Sequence, residues 1–288
     1  MCTMSSKPSP TLLRRQLGAE LRRLREGARK TAAEVATALS WSESKVSRIE
    51  TANSSVRNPD LMKLFDLYKV SEVERSRLTA LAAQSRQRAW WEAYGEALLG
   101  AYETYIGFES EASEIFIYDA VLLNGLLQTA EYAGAVINSL SAGERPDVVS
   151  QRVSVRMARQ AVLTRDPPPK IWAILDEAVL RRPIGGTSVM KRQLMRLLEI
   201  ADQPTVTLQM VPFDRGAHRG IDGMFTILEF ANETEQPLVY CDGMTGGVFR
   251  NRPEEVRRYL MAFESLRTVA LSHAETLEFI QKTIREYE

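Results

Sequence analysis

Apolar residues recur at helical spacing through the first ninety positions, and beyond residue 170 they gather into short β-branched and aromatic runs. Leu13, Leu17, Leu21 and Leu24 are spaced four, four and three apart, which marks one face of a helix ending near Gly27. Arg14, Arg15, Arg22, Arg23 and Arg25 fall largely outside that stripe. Thr31 followed three residues on by Glu34 is a capping-box pattern, so a second helix starts there, carries Val35, Ala36 and Leu39 on its inner face, and stops at Ser40-Trp41. Ser42 caps a third helix whose inner face is Val46 and Ile49. Asn53-Ser54-Ser55 reads as a loop, and Asn58-Pro59-Asp60 opens a fourth helix with Leu61, Leu64, Phe65 and Tyr68 buried. Ser71, with Glu74 three on, opens a fifth over Leu78, Leu81 and Ala82. The expectation is a flexible leader over 1–10 and an all-α, five-helix domain over 11–86.

From Trp90 to about Leu140 the pattern stays helical and aromatic. IWAIL (171–175), TVTLQMV (205–211), MFTILEF (224–230) and LVYC (238–241), bounded by Pro, Gly, Asp and Asn, read as strands. A helix over Met190, Leu194, Leu197 and Leu198 separates the first two, and helices over Pro253–Leu271 and Ser272–Tyr287 close the chain. Residues 87–288 are therefore expected to form a mixed α/β domain with a modest sheet after a helical, aromatic-rich start over 87–140. RDPPPK (165–170) is too short for a domain linker and sets an extended approach to the first of these strands.

Net charge is zero, 37 basic against 37 acidic residues, and that balance alone argues against nucleic acid. It conceals a division: residues 1–90 hold 17 Lys and Arg against 9 Asp and Glu, and the remainder holds 20 against 28. A basic module joined to an acidic one is expected when one part faces phosphates and the other does not. Two cysteines, Cys2 and Cys241, support neither a disulfide framework nor a zinc site, and no metal or cofactor is expected. No apolar run reaches membrane-spanning length and the start lacks a signal peptide's apolar core, so a cytoplasmic protein is expected, associated with the nucleoid when bound to DNA.

Two short helices joined by a tight turn, the second opening with small polar and basic residues, fit a helix-turn-helix unit whose recognition helix enters the major groove of double-stranded DNA. Serine and the long donors Lys45 and Arg48 suit phosphate oxygens and base edges, which are largely hydrogen-bond acceptors. LRRLREGARKTAAEVATALSWSESKVSRIE (21–50) resembles the XRE-type, Cro/repressor-like helix-turn-helix domain, a resemblance running from 12 to 85. It implies base reading by Glu43, Ser44 and Arg48, phosphate contacts from Ser42, Lys45 and Arg57, and a buried ion pair between Arg25 and Glu50 that ties the first helix to the third. Glu43 is equally readable as an N-terminal charge favoured by the helix dipole. The sequence departs from the pattern at Arg29 and Ser40, where glycine is usual, at Lys30, usually apolar, and at Ala32, usually glutamine.

YIGFESEASEIFIYDAVLLNGLLQTAEYAGAVI (105–137), RMARQAVLTRDPPPKIWAILDEAVLRRPIGG (156–186) and VPFDRGAHRGIDGMFTILEF (211–230) resemble the C-terminal domain of WhiJ-like or antitoxin-like regulators of the actinobacterial type. The resemblance implies a regulator often paired with a small acidic-to-neutral partner protein, and it does not imply catalysis. Asn124 stands where that family usually has proline. No nucleophile elbow, phosphate loop or HExxH pattern is present, so an enzyme is not expected. PFDRGAHRGIDG (212–223) sets Arg215, His218 and Arg219 among glycines, either as a basic patch for a ligand or partner or as a solvated loop. Trp90, Trp91, Tyr94, Tyr102, Tyr105 and Phe108 form interdomain core or an interface surface. The expected molecule is a homodimeric transcriptional regulator whose acidic domain receives a small-molecule effector or a partner protein; the alternative is an antitoxin-like protein that sequesters a small partner, with DNA binding secondary.

Overall fold

The computed structural model describes residues 9–52, 54–87, 90–97, 101–140, 143–232, 235–243 and 246–287. The expected leader, apart from its last two positions, and Asn53 lie outside these residues. The chain forms two compact units, Met1–Ala93 and Tyr94–Glu288; the sequence reading set the division seven residues earlier.

The first unit holds α1 (Pro10–Gly27), α2 (Ala32–Leu39), α3 (Glu43–Glu50), α4 (Asn58–Tyr68) and α5 (Glu72–Gln84). Their starts follow from capping chemistry. Ser9, Thr31, Ser42 and Ser71 each accept a backbone N–H three residues on, and Thr31 and Glu34 complete a reciprocal box. Ser71 and Glu74 do not, because Glu74 turns its carboxylate to Arg23 instead. The ends of α1, α2 and α4 share one device. Arg29, Ser40 and Lys69 sit in the left-handed region (φ 54°, 56° and 55°), and the following N–H reaches back five residues, as from Trp41 to Ala36 O at 2.8 Å. None is glycine, so each turn carries roughly 1 kcal/mol of conformational cost. Changing the three together to glycine is expected to raise the unit's Tm by a few degrees, about 0–0.5 kcal/mol per site once glycine's own chain entropy is subtracted; a Tm that falls in calorimetry would contradict this account of the turns.

Leu17, Leu21, Val35, Val46, Ile49, Leu61, Leu64, Phe65 and Leu78 make one buried cluster. Gly18 lets α1 cross the end of α3, for a Cβ there would meet Glu50 O at 2.6 Å.

The second unit is built on a six-stranded sheet, in the order β3 (Val206–Val211), β2 (Lys170–Asp176), β1 (Ala112–Asp119), β4 (Phe225–Phe230), β5 (Leu238–Cys241) and β6 (Val248–Arg250). β1, β2 and β3 run parallel, and β4 to β6 continue antiparallel from β1. The sheet is larger than the sequence suggested. Residues 112–119, expected to be helical, form its central strand, and β6 adds an edge. Ile115 and Ile117 face one layer, Tyr118 the other, so β1 is apolar on both sides and shows no polar face to betray a period of two.

One layer takes in α7 (Ala130–Leu140), α10 (Thr187–Ala201) and α12 (His273–Glu286); the other is closed by α11 (Pro253–Val269) through Val256, Phe263 and Leu266. α6 (Ala101–Glu109) precedes β1, and α8 (Pro146–Arg159) with the short α9 (Glu177–Arg181) completes the parallel crossovers. The aromatic series is divided. Trp91 is buried and Trp90 half exposed in the first unit, whereas Tyr105 and Phe108 enter the second unit's core against Tyr240, Phe230 and Phe249. Cys241 is half buried, and its thiol donates to Tyr259 Oη at 3.3 Å.

Two buried polar arrangements stand out within this core. Arg159 meets Glu109 through two hydrogen bonds (2.9 and 2.5 Å), with both side chains at most 3% exposed, and also donates to Tyr102 Oη. Asp119, at the end of β1, accepts the backbone N–H of Asn124 at 2.5 Å. The departure from proline at 124 supplies that donor, since proline has no N–H. The Asn124 side chain in turn accepts Leu126 N and opens a short 3-10 turn.

Candidate nucleic-acid interface

The surface that matters in the first unit is built by α2, the turn at Ser40 and α3. Thr31 fixes the start of α2, the left-handed Ser40 reverses the chain, and Ser42 starts α3 by accepting Lys45 N at 3.2 Å. Val46 and Ile49, 2% and 5% exposed, hold α3 against the core. Ser44 and Arg48, one turn apart, therefore point outward, with Glu43 and Ser47 exposed beside them. Ser47 was missed by the sequence reading, although its spacing from Ser44 places it on the same face.

Arg25 and Glu50 form a two-pronged ion pair, Nε to Oε1 at 2.7 Å and Nη2 to Oε2 at 2.9 Å, with the third donor on Lys30 O. Their side chains are 12% and 8% exposed, so the pair sits where water screens it little and fixes the angle between α1 and α3. Lys45 is held rather than free. Its ammonium lies 2.8 Å from Asp60 at the start of α4 and 3.8 Å from the centre of the Trp41 ring. Any phosphate contact by Lys45 therefore competes with Asp60. Arg57 is exposed immediately before α4.

The local excess of positive charge is spent unevenly. Arg22, Arg23, Arg25, Arg75 and Arg77 are tied to Glu26, Glu20, Glu50, Asp66 and Glu20. Arg48 and Arg57 have no ion pair among the described residues; Arg48 stands on the outward face of α3 and Arg57 at the start of α4.

The loop between β3 and β4 does not gather its three basic residues. His218 is turned inward, its side chain 9% exposed, with Nε2 3.6 Å from Asp176, Nδ1 accepting Gly220 N at 3.2 Å and the ring edge on Tyr118. Gly220 is required there, because a Cβ would lie 2.3 Å from the Tyr118 ring. Arg215 is exposed and acts on Glu275 at the start of α12, while Arg219 lines an open groove of about 610 Å³ with Arg250 and Arg258. Among the described residues no cluster of three or more His, Cys, Asp or Glu side chains is placed to hold a metal, and no helix is long and apolar enough to cross a membrane.

Comparison with protein families agrees with this division. Residues 16–78 match the model of a helix-turn-helix domain, and residues 102–282 match that of a domain of unknown function, DUF5753. No curated protein and no solved structure matches the chain. The DUF5753 match attaches no ligand, partner or activity to the second unit. It spans well over half of the chain, and so the protein belongs to the DUF5753 family, with a helix-turn-helix domain before the DUF5753 domain.

Proposed function

We propose that the chain is a sequence-specific, DNA-binding transcriptional regulator that acts as a homodimer and receives its signal, a small-molecule effector or a partner protein, through the DUF5753 domain. It is a regulator and not a catalyst. The observation that carries this reading is the outward face of α3, where Ser44 and Arg48 stand exposed opposite a buried Val46 and Ile49. In the groove, Arg48 and Ser44 read base edges, with Glu43 beside them, and Ser42, Lys45 and Arg57 hold phosphates. Two such modules on half-sites about 34 Å apart supply the affinity that one small module lacks.

The test is binding of the full chain to fragments of its own upstream region and to random DNA, at two salt concentrations. A preference of about a thousandfold is expected. Arg48→Ala should cost about 1–3 kcal/mol on the preferred sequence and relax selectivity. Lys45→Ala should weaken all sequences alike and flatten the salt dependence, with a stability loss of up to about 1 kcal/mol from the partly exposed pair with Asp60. Equal losses on both DNAs for Arg48→Ala would remove it from base reading.

The engagement of Lys45 with Asp60, together with Ala32 where glutamine is usual, favours a second reading in which DNA contact is weak and a small partner protein is the main target. A stoichiometric small protein that co-purifies with the chain, together with the absence of sequence preference, would bring that antitoxin-like reading forward.

A further inference from the structure

We infer that Asp60, in the first turn of α4, is an internal stand-in for a DNA phosphate: it competes for the Lys45 ammonium and thereby limits how tightly the module holds any DNA backbone. The inference deepens the regulator reading and rests on it. What it adds is a positioning residue that touches no DNA and acts through another side chain.

Lys45 is the third residue of α3, and its ammonium has two neighbours, Asp60 Oδ2 at 2.8 Å and the centre of the Trp41 ring at 3.8 Å. The ring holds the stem and the charge in place, and the carboxylate supplies the acceptor. With side chains 34% and 21% exposed, neither Lys45 nor Asp60 is sealed from water, so a phosphate can reach the ammonium only by displacing an oxyanion already bonded to it. An ammonium is a compact charge with three donors, and a carboxylate oxygen and a phosphate oxygen serve it alike.

Asp60 does not depend on Lys45 for its place. It is the third residue of α4, behind Asn58 and Pro59, where the helix dipole favours a carboxylate. When Lys45 turns to a phosphate, Asp60 therefore remains charged beside it and opposes the phosphate as a like charge. The other two residues assigned to phosphates carry no such restraint, for Ser42 is neutral and Arg57 has no ion pair among the described residues. Phosphates carry no sequence, so the restraint on Lys45 acts equally on every DNA. A pair of this exposure is worth no more than about fivefold in a binding constant.

The test is fluorescence anisotropy of the full chain and its variants on labelled fragments of the upstream region and on random DNA. Asp60→Asn keeps the shape, removes the charge and should tighten both DNAs by about threefold to fivefold, with a Tm within a few degrees of the parent's; damage to the fold would loosen them instead. Asp60→Glu keeps the charge and should bind as the parent does. Lys45→Met removes the ammonium and keeps the stem on Trp41, and in that background Asp60→Asn should tighten binding less than twofold, because the competitor has nothing left to hold. That background also measures what removal of one negative charge does by itself. The reading and the inference fail separately. A parent chain and variants that all leave DNA unbound would remove both, whereas parent binding that Asp60→Asn leaves unchanged or weakens, or that it tightens equally in the Lys45→Met background, would overturn the inference alone.

Discussion

Glu109→Ala is expected to destabilise the DUF5753 domain by about 3–5 kcal/mol, read as a lowered midpoint for that domain in denaturant unfolding. The reason is what remains behind. Arg159 is 5% exposed, stacked within 5.0 and 5.1 Å of the Tyr102 and Tyr105 ring centres, and Glu109 is its sole carboxylate partner among the described residues. Without Glu109 its charge stays buried with one neutral hydroxyl to meet it, and neither ring face replaces a carboxylate. The pair also joins the last residues of α6 and α8, so its loss loosens the helix that leads into β1. At a helix C-terminus the dipole favours Arg159 and opposes Glu109, by about 0.3–1 kcal/mol each, too little to alter the outcome. Removing both charges with Glu109→Leu and Arg159→Met should recover most of the loss, since apolar replacement of a buried pair is often neutral. A single-variant loss below about 1 kcal/mol would mean that water reaches Arg159.

The helix-turn-helix domain was legible because its determinants are local. A cap and its donor are three residues apart, an apolar stripe repeats within one or two turns, and the two positions where glycine is usual, Arg29 and Ser40, are left-handed. The outward face of α3 followed from Val46 and Ile49 alone. What could not be read was set by partners distant in the chain. The bond that holds Lys45 comes from Asp60 on another helix, and Arg159 is 50 residues from Glu109. β1 was hidden because both of its faces are covered, which erases the alternation by which a half-exposed strand announces itself. Its helical, aromatic predecessor α6 carried the wrong period up to Glu109. The three-residue β6 is too short for any pattern. In the loop after β3, sequence proximity of Arg215, His218 and Arg219 suggested one patch, but Asp176 and Tyr118 draw the histidine inward, while Arg215 acts on Glu275 and Arg219 lines a groove.

Asp119→Asn is expected to raise the stability of the DUF5753 domain at neutral pH by up to about 4 kcal/mol and to remove most of its pH dependence between about pH 5 and 8. An unfolded chain releases the Asp119 proton near pH 3.9, whereas burial holds it in the folded chain up to about 8. Through that window the folded state binds a proton that the unfolded state has lost, so its stability falls as pH rises, by about 1.4 kcal/mol per unit for this one group. The contribution is whole below about pH 4 and gone above about 8. Glu229, raised by burial and by Glu114, adds a slope of the same sign that survives in the variant. Tyr132, pushed up mainly by burial to about 12, releases its proton outside the window. Asp147 and Glu275 are lowered and act in the opposite sense, at pH values below the window. The amide can still accept the Asn124 N–H, so the change removes the ionisation and keeps the bond. Unfolding curves for parent and variant that run parallel across the window would show that Asp119 is ionised in the folded chain. In that case the Asn124 N–H, which donates to the Asp119 carboxylate at 2.5 Å, outweighs the cost of burying its charge.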